Sequence, residues 1–116
     1  MKIAVNEIKR LESKKDLDKL ELGDKIEAEL NGSIWKLIFI KKEEAGFRPT
    51  GYYEFKGISD NENLAMTYHC FLNNIGISEG KIVQKYLLSC IDFISFFKGT
   101  ENYEIIKKSI EGVLSR

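Results

Sequence analysis

Residues 24–42 read DKIEAELNGSIWKLIFIKK, and this stretch decides the fold. Its first half alternates apolar with charged residues, which is the period of a strand with one face in water. Asn31-Gly32 follows, the favoured pair for a two-residue type I′ turn. The second half is rich in β-branched and aromatic residues, as strands are. The stretch therefore predicts a β-hairpin in which Leu30 lies opposite Ser33.

This register places apolar side chains on both faces of the second strand. Trp35 lies opposite Ala28. Leu37 then faces Ile26, and Phe39 follows on the same core face. The other face mixes apolar and charged side chains, namely Lys25, Glu27, Glu29, Ile34, Ile38 and Ile40. A strand that is apolar on both faces is usually central in its sheet or covered on its second side.

Two further strands are predicted downstream of the hairpin, with a polar turn between them. The first, YYEFKGIS, places Tyr53 and Phe55 on the core face. The second, LAMTYHCFL, places Tyr68 and Cys70 on that face. The outer face then carries Tyr52, Glu54, Lys56, Ile58, His69 and Phe71. Joined by short turns, these strands and the hairpin predict an antiparallel meander.

Helical periodicity is found on both sides of the meander. Residues 4–20 carry apolar residues at helical spacing. Ser78 is a suitable N-cap for a second helix over residues 78–98, which is apolar around most of its circumference. Thr100 can cap a last helix, whose apolar stripe is formed by Tyr103, Ile106, Ile110 and Val113.

We therefore predict a single α+β domain over residues 1–116. It consists of an N-terminal helix, a four-stranded antiparallel meander sheet and two C-terminal helices packed on one sheet face. That face is the one that carries Trp35, Phe55 and Cys70. The N-terminal helix is expected to cover part of the opposite face.

The charge balance and the N-terminal sequence limit which classes of partner and which cellular compartment we expect for this protein. Lys and Arg number 18 and Asp and Glu number 18, so no sequence-wide basic field attracts nucleic acid. The first residues lack the apolar segment of a secretory signal, and no apolar stretch reaches the length of a membrane span. The two cysteines are expected to be reduced thiols. These observations predict a cytoplasmic protein with no membrane contact.

His69 and Cys70 are the residues most suggestive of chemistry, because His69 is the chain's single histidine. Consecutive side chains of a strand point to opposite faces, so these two cannot act on one substrate atom or chelate one metal ion. The sequence has no Gly-rich phosphate loop, no GxSxG and no HExxH spacing. We expect Cys70 to be a core residue, and we predict neither an enzyme nor a bound cofactor or metal.

The outer sheet face is the predicted functional surface. Aromatic and apolar anchors inside a charged rim are typical of surfaces that bind proteins. The expected partner-binding residues are Glu27, Glu29, Tyr52, Glu54, His69 and Phe71. We interpret the chain as a small protein-binding module, such as a stoichiometric inhibitor. An immunity protein for a bacterial toxin and a phage-encoded inhibitor of a host factor are examples of that class.

Three alternatives stay open. A single strand of nucleic acid could bind basic and aromatic side chains, namely Lys41, Lys42, Arg48, Tyr52, Tyr53, Phe55 and Lys56. A small ligand could occupy a pocket between the sheet and the C-terminal helices, lined by Trp35, Tyr53 and Tyr68. A homodimer could form through the apolar helix at residues 82–97.

Overall fold

The computed structural model describes residues 8–44, 51–72, 75–87 and 92–115 of the chain. Its elements are a 3-10 helix at Lys14–Lys19, strands β1 (Lys25–Leu30), β2 (Ser33–Glu43), β3 (Tyr52–Ile58), β4 (Leu64–Cys70), β5 (Gly76–Ser78), β6 (Lys81–Gln84) and β7 (Phe93–Phe97), and helix α1 (Glu101–Leu114). The strands form one seven-stranded mixed sheet of order β5-β6-β1-β2-β3-β4-β7. The α+β class is confirmed, but the predicted four-stranded meander with two C-terminal helices is wrong.

The hairpin of β1 and β2 forms in the predicted register. Leu30 pairs with Ser33, and Ala28 pairs with Trp35. Asn31 and Gly32 have φ angles of 52° and 87°, the two left-handed residues that a type I′ turn requires. The turn chemistry and the alternation of β1 specify the same pairing, so the prediction from this stretch holds.

Strands β3 and β4 also form where the alternation predicts them, and Phe55 pairs with Tyr68 on the core face. Between β2 and β3 the register shifts at residues 39–41, because Phe39 pairs with Phe55 while Lys41 pairs with Glu54. One extra residue in β2 makes this a β-bulge, which bends a strand and increases its twist. Beyond the bulge, Lys41 therefore lies on the outer face.

The predicted helix over residues 78–98 is wrong, because its described residues form strands. Glu79 and Gly80 have φ angles of 53° and 80° and make a two-residue turn between β5 and β6. Strand β6 then pairs parallel to β1, with Ala28 opposite Ile82. Strand β7 pairs antiparallel to β4 and extends the sheet at its other end. Apolar runs interrupted by single polar residues fit both periods, and here the β-branched and aromatic residues of β7 favour a strand.

The predicted N-terminal helix is also wrong over its described part. Ile8 forms an isolated parallel bridge with Lys25, and only residues 14–19 turn helically, as a 3-10 helix. The Leu11 N–H donates to the Gly80 carbonyl at 2.9 Å, which ties this segment to the turn between β5 and β6. Leu11 and Leu17 are each 1% exposed, and they belong to the core on the inner face of the sheet. The segment therefore covers the inner face and not the outer one.

The inner core is closed by the curl of the sheet. Strands β4 and β6 are separated in the sheet by β3, β2 and β1, yet the Tyr68 hydroxyl donates to Oε1 of Gln84. Likewise Trp35 of β2 meets Phe93 of β7 edge to face, with ring centroids 5.8 Å apart. The face that carries Trp35, Phe55 and Cys70 is thus buried by other strands, where two helices had been predicted.

Helix α1 packs on the outer face. The Thr100 side chain accepts a hydrogen bond from the Tyr103 N–H at 3.2 Å, so the predicted N-cap is confirmed. Tyr103, Ile106 and Ile110 form a second buried cluster with Ile38 and Ala65 of the sheet. No helix among the described residues is long and apolar enough to cross a membrane.

This packing predicts that alanine substitutions at two isoleucines of α1 change the free energy of unfolding by very different amounts. Ile110 is 1% exposed and Ile105 is 55% exposed. We expect Ile110→Ala to lower the free energy of unfolding by about 2–4 kcal/mol, because it leaves a cavity between the helix and the sheet. The matched control Ile105→Ala is expected to change it by less than about 1 kcal/mol. Urea denaturation measures both, and equal losses would contradict the packing of α1 on the outer face.

Candidate functional site

Four of the six predicted partner-binding residues lie together on the outer face. Glu54 of β3 pairs with His69 of β4 in the antiparallel register. Tyr52 begins β3 and Phe71 directly follows β4, so both lie at the same end of the two strands. Because side chains alternate along each strand, all of them project from the face opposite Tyr53 and Cys70. We call Tyr52, Glu54, His69 and Phe71 the outer-face cluster.

The three rings of the outer-face cluster contact one another. The Tyr52 and His69 rings are stacked, with centroids 4.4 Å apart and planes 28° apart. Phe71 lies 5.4 Å from Tyr52 and 6.4 Å from His69, the latter edge to face. These separations are those of favourable aromatic pairs, which hold each ring in one orientation. The cluster therefore presents a preformed aromatic surface.

Glu54 is held as a carboxylate within this surface. Its Oε1 lies 3.3 Å from His69 Nε2, and its Oε2 lies 4.0 Å from Lys56 Nζ. The hydrogen bond from His69 is the main cause that holds the pKa of Glu54 below its ordinary value, and the charges of Lys56 and Lys41 act in the same direction. The Glu54 side chain is 15% exposed, so these partners fix its orientation as well as its charge.

The cluster lies beyond the part of the sheet that α1 covers. The helix packs on Ile38, Ala65 and Ile58, and Tyr103 donates a hydrogen bond of 2.5 Å to the Glu62 carbonyl in the turn between β3 and β4. The cluster is at the opposite end of these strands from that turn. Its members are half-buried in the sheet surface and remain accessible from outside; the His69 side chain, for example, is 29% exposed.

Glu27 and Glu29 lie on the outer face but apart from the cluster. Glu27 pairs with Lys36 of β2, whereas Glu54 pairs with Lys41. Four residues of β2 lie between Lys36 and Lys41, and one of them is the extra residue of the bulge, so the two positions are about 13 Å apart along the strand. The two glutamates therefore cannot share one small contact area with the cluster.

His69 and Cys70 are separated as their adjacent positions on a strand predict. Cys70 is fully buried in the inner core, while His69 contacts Tyr52 and Glu54 outside. Burial raises the pKa of the Cys70 thiol to about 12, so the thiol remains protonated. In the part of the chain that the structure describes, no group of three or more His, Cys, Asp or Glu side chains could hold a metal ion.

A buried polar network on the inner side was missed by sequence reasoning. Gln84 and Asp92 are 2% and 4% exposed, and the Gln84 amide donates to Asp92 Oδ2 at 3.3 Å and to the Tyr86 carbonyl at 3.0 Å. With Tyr68, they connect strands that are distant in the sheet. Beside them lies a groove of about 670 Å³, lined by Gly76, Ile77, Ser78, Val83, Lys85, Tyr86 and Asp92. The available signal was that two polar residues, Gln84 and Asp92, interrupt the apolar segment 82–97, which the sequence analysis assigned to a helix.

The lowered pKa of Glu54 predicts a pH-dependent contribution to stability. A carboxyl with a lowered folded-state pKa stabilises the fold above its unfolded pKa, and this contribution is lost as the pH falls through the folded value. We expect Glu54→Gln to lower the free energy of unfolding by about 1 kcal/mol at neutral pH. The difference from the unmodified chain should shrink as the pH falls below about 4.3, the ordinary value for glutamate.

Urea denaturation at a series of pH values measures this difference. The exposed Glu111 of α1 offers the matched control, and Glu111→Gln should show no comparable loss at neutral pH. A Glu54→Gln loss that stayed constant down to acidic pH would contradict the ionic role of Glu54.

Comparison with known proteins gives no family for this chain. No family model, no curated protein and no solved structure matches it. Function is therefore inferred from side-chain geometry, and the outer-face cluster offers an accessible group of rings and a carboxylate in mutual contact.

Proposed function

We propose that the chain is a protein-binding module and that the outer-face cluster is its contact surface. The observation that carries this proposal is the stack of Tyr52 on His69, with Phe71 beside it and Glu54 fixed by hydrogen bonding. Aromatic side chains supply much of the binding energy at protein interfaces, and binding is tighter when they are already ordered in the unbound protein. The role proposed is binding and not catalysis.

The charge of the cluster indicates the chemistry of the partner. Glu54 is a carboxylate held beside His69, so a partner that places an Arg or Lys side chain over it would gain a charge-assisted hydrogen bond. A basic active site or nucleic-acid-binding site on another protein has this chemistry. A stoichiometric inhibitor, such as an immunity protein for a bacterial toxin or a phage-encoded inhibitor of a host factor, would cover such a site.

Glu27 and Glu29 fit this proposal as outlying contacts. They share the outer face with the cluster but lie about 13 Å or more away along the strands. A partner that reached all six residues would therefore cover a protein-sized area of the sheet. In that arrangement the two glutamates would form part of the charged rim.

The single-stranded nucleic-acid alternative has less support in the geometry. Tyr53 and Phe55 are 3% and 0% exposed, so their rings are not available for stacking on bases. The lysines that this alternative requires lie beside carboxylates, with Lys41 at 3.1 Å from Glu43 and Lys42 at 3.0 Å from Asp18. Arg48 lies outside the described residues. The pocket alternative loses the second C-terminal helix that it required, and Tyr53 and Tyr68 fill the inner core.

Tyr52→Ala tests the proposal when it is compared with Tyr86→Ala. Tyr86 is 86% exposed and lies outside the cluster, so it is a matched tyrosine control. Tagged wild-type and variant chains would be recovered from their own cells after nuclease treatment, and the affinity of the recovered partner would be measured with purified proteins. We expect Tyr52→Ala to weaken the complex at least tenfold, or about 1.4 kcal/mol, and Tyr86→Ala to leave it unchanged.

Two outcomes would contradict the proposal. One is an affinity that Tyr52→Ala and Phe71→Ala both leave unchanged while the variants stay folded. The other is recovery of nucleic acid with a binding constant that falls steeply as salt rises, which would favour the nucleic-acid alternative.

A further inference from the structure

Strand β7 presents one side of its backbone away from the sheet. The His69 N–H donates to the Asp92 carbonyl at 2.7 Å, and the Lys98 N–H donates to the Asn63 carbonyl at 2.8 Å. In an antiparallel pair, hydrogen-bonded residues alternate with residues whose N–H and C=O groups point outward. The even-numbered residues of β7 therefore bond to β4. The backbone groups of Phe93 and Ser95 and the Phe97 N–H point to the outer edge, whereas the Phe97 carbonyl accepts from the N–H and the hydroxyl of Thr100.

Among the residues that the structure describes, this edge lacks the features that usually prevent strand pairing. Strand β7 has the sequence FISFF, with no charged residue and no proline. Ile94 is 46% exposed and Phe97 is 72% exposed. Natural edge strands are commonly protected by lysines, prolines, bulges or covering loops. In the described part of the chain, β7 is the last strand of the sheet on this side.

We propose that a second copy of this chain pairs with β7, antiparallel, about a two-fold axis at Ser95. In this register Ser95 lies opposite Ser95 of the second copy, and Phe93 lies opposite Phe97. The outward-pointing positions are symmetric about Ser95, so the N–H and C=O of Ser95 meet their equivalents, and the Phe97 N–H of each copy meets the Phe93 carbonyl of the other. Ile94 of one copy lies opposite Phe96 of the other on the outer face. The exposed apolar surface of each copy is thereby covered by its symmetry mate.

Charge and space both favour a second copy at this edge. The same register places Lys98 of each copy opposite Asp92 of the other, which gives a favourable field at both ends of the pair. Asp92 is buried, so the attraction acts at a distance and not as an ion pair. Helix α1 begins directly after β7 and crosses the sheet until Val113 approaches Gly23. It therefore runs away from the edge and leaves it open.

The other edge of the sheet is a poorer site for pairing. Strand β5 has three residues, Gly76–Ser78, against five in β7. Pairing of β7 with β5 of another copy would leave a further edge at each end and would build open filaments. The two-fold pairing of β7 closes after two copies.

The dimer predicted from the sequence used an apolar helix at residues 82–97. The described part of that segment contains strands β6 and β7 instead, so the pairing proposed here is made by a strand and not by a helix.

Ser95→Cys tests the register of the pair. Residues opposite each other at a hydrogen-bonded position have Cα atoms about 5.5 Å apart, within the range that a disulfide spans. Under mild oxidation we expect this variant to form a covalent dimer rapidly, with the bond at residue 95 confirmed by peptide mass spectrometry. Ile34→Cys is the matched control, since Ile34 is 59% exposed and lies on β2, which is separated from β7 in the sheet by β3 and β4. The unmodified chain gives the background from Cys70 and Cys90.

Phe97→Lys tests the same interface without a cross-link. Sedimentation velocity over a concentration series should show a reversible dimer for the unmodified chain. The dissociation constant should rise at least tenfold in Phe97→Lys, because the change places an ammonium group against Phe93 of the second copy. Ile34→Lys replaces another exposed apolar side chain, 59% exposed against 72% for Phe97, and should leave the dimer intact.

Three results would overturn the proposal. The first is a monomer at every concentration, and the second is cross-linking of Ser95→Cys no faster than that of Ile34→Cys. The third is concentration-dependent growth beyond dimers, which would indicate pairing of β7 with β5. Because the tested surface lies on the edge of β7 and not on the outer-face cluster, these results are independent of the affinity measurements with Tyr52→Ala.

Discussion

The row of large side chains on the inner face of the sheet is the constraint on which the fold depends. Phe55 and Tyr68 are fully buried there, and Phe39 lies beside Phe55 with ring centroids 5.6 Å apart. An apolar face of this size must be covered by another layer. Here most of the covering layer is the sheet itself, which curls until Tyr68 reaches Gln84 and Trp35 reaches Phe93, and Leu11 and Leu17 of the N-terminal segment complete it. The β-bulge in β2 increases the twist that this curl requires.

The curl also explains why two polar residues, Gln84 and Asp92, lie within the apolar segment 82–97. Gln84 and Asp92 are buried where the two ends of the curled sheet approach each other. A buried amide or carboxylate is costly unless its hydrogen bonds are satisfied, and Gln84 contacts Tyr68, Asp92 and the Tyr86 carbonyl. A shift of β6 by one residue would send Gln84 to the outer face and Val83 to the core. The network therefore helps to specify the register of this short strand, together with the fully buried Ile82.

The sequence specified the central strands and the last helix but not the two ends of the sheet. Period-two alternation, the Asn31-Gly32 turn and the Thr100 cap are local signals, and each was confirmed. In the segment 78–98 the local signal was misleading, because Ser78 resembles the N-cap of a helix. In the structure Glu79 instead adopts a left-handed conformation, which non-glycine residues rarely take and which the sequence pattern does not indicate. Parallel pairing of β6 with β1 is a long-range contact, and no local pattern predicts it.

The same distinction between local and long-range signals applies to the candidate site. Alternation alone placed Tyr52, Glu54, His69 and Phe71 on one face, and the register of two adjacent strands then brought them into contact. The separation of Glu27 from this group depends on how far β2 extends past β1 before it pairs with β3, a length that the alternation does not encode. The bulge then brings Lys41 to the outer face, where its charge helps to hold Glu54 ionised. One extra residue in a strand that packs the core thus sets the electrostatics of the surface proposed to bind a partner.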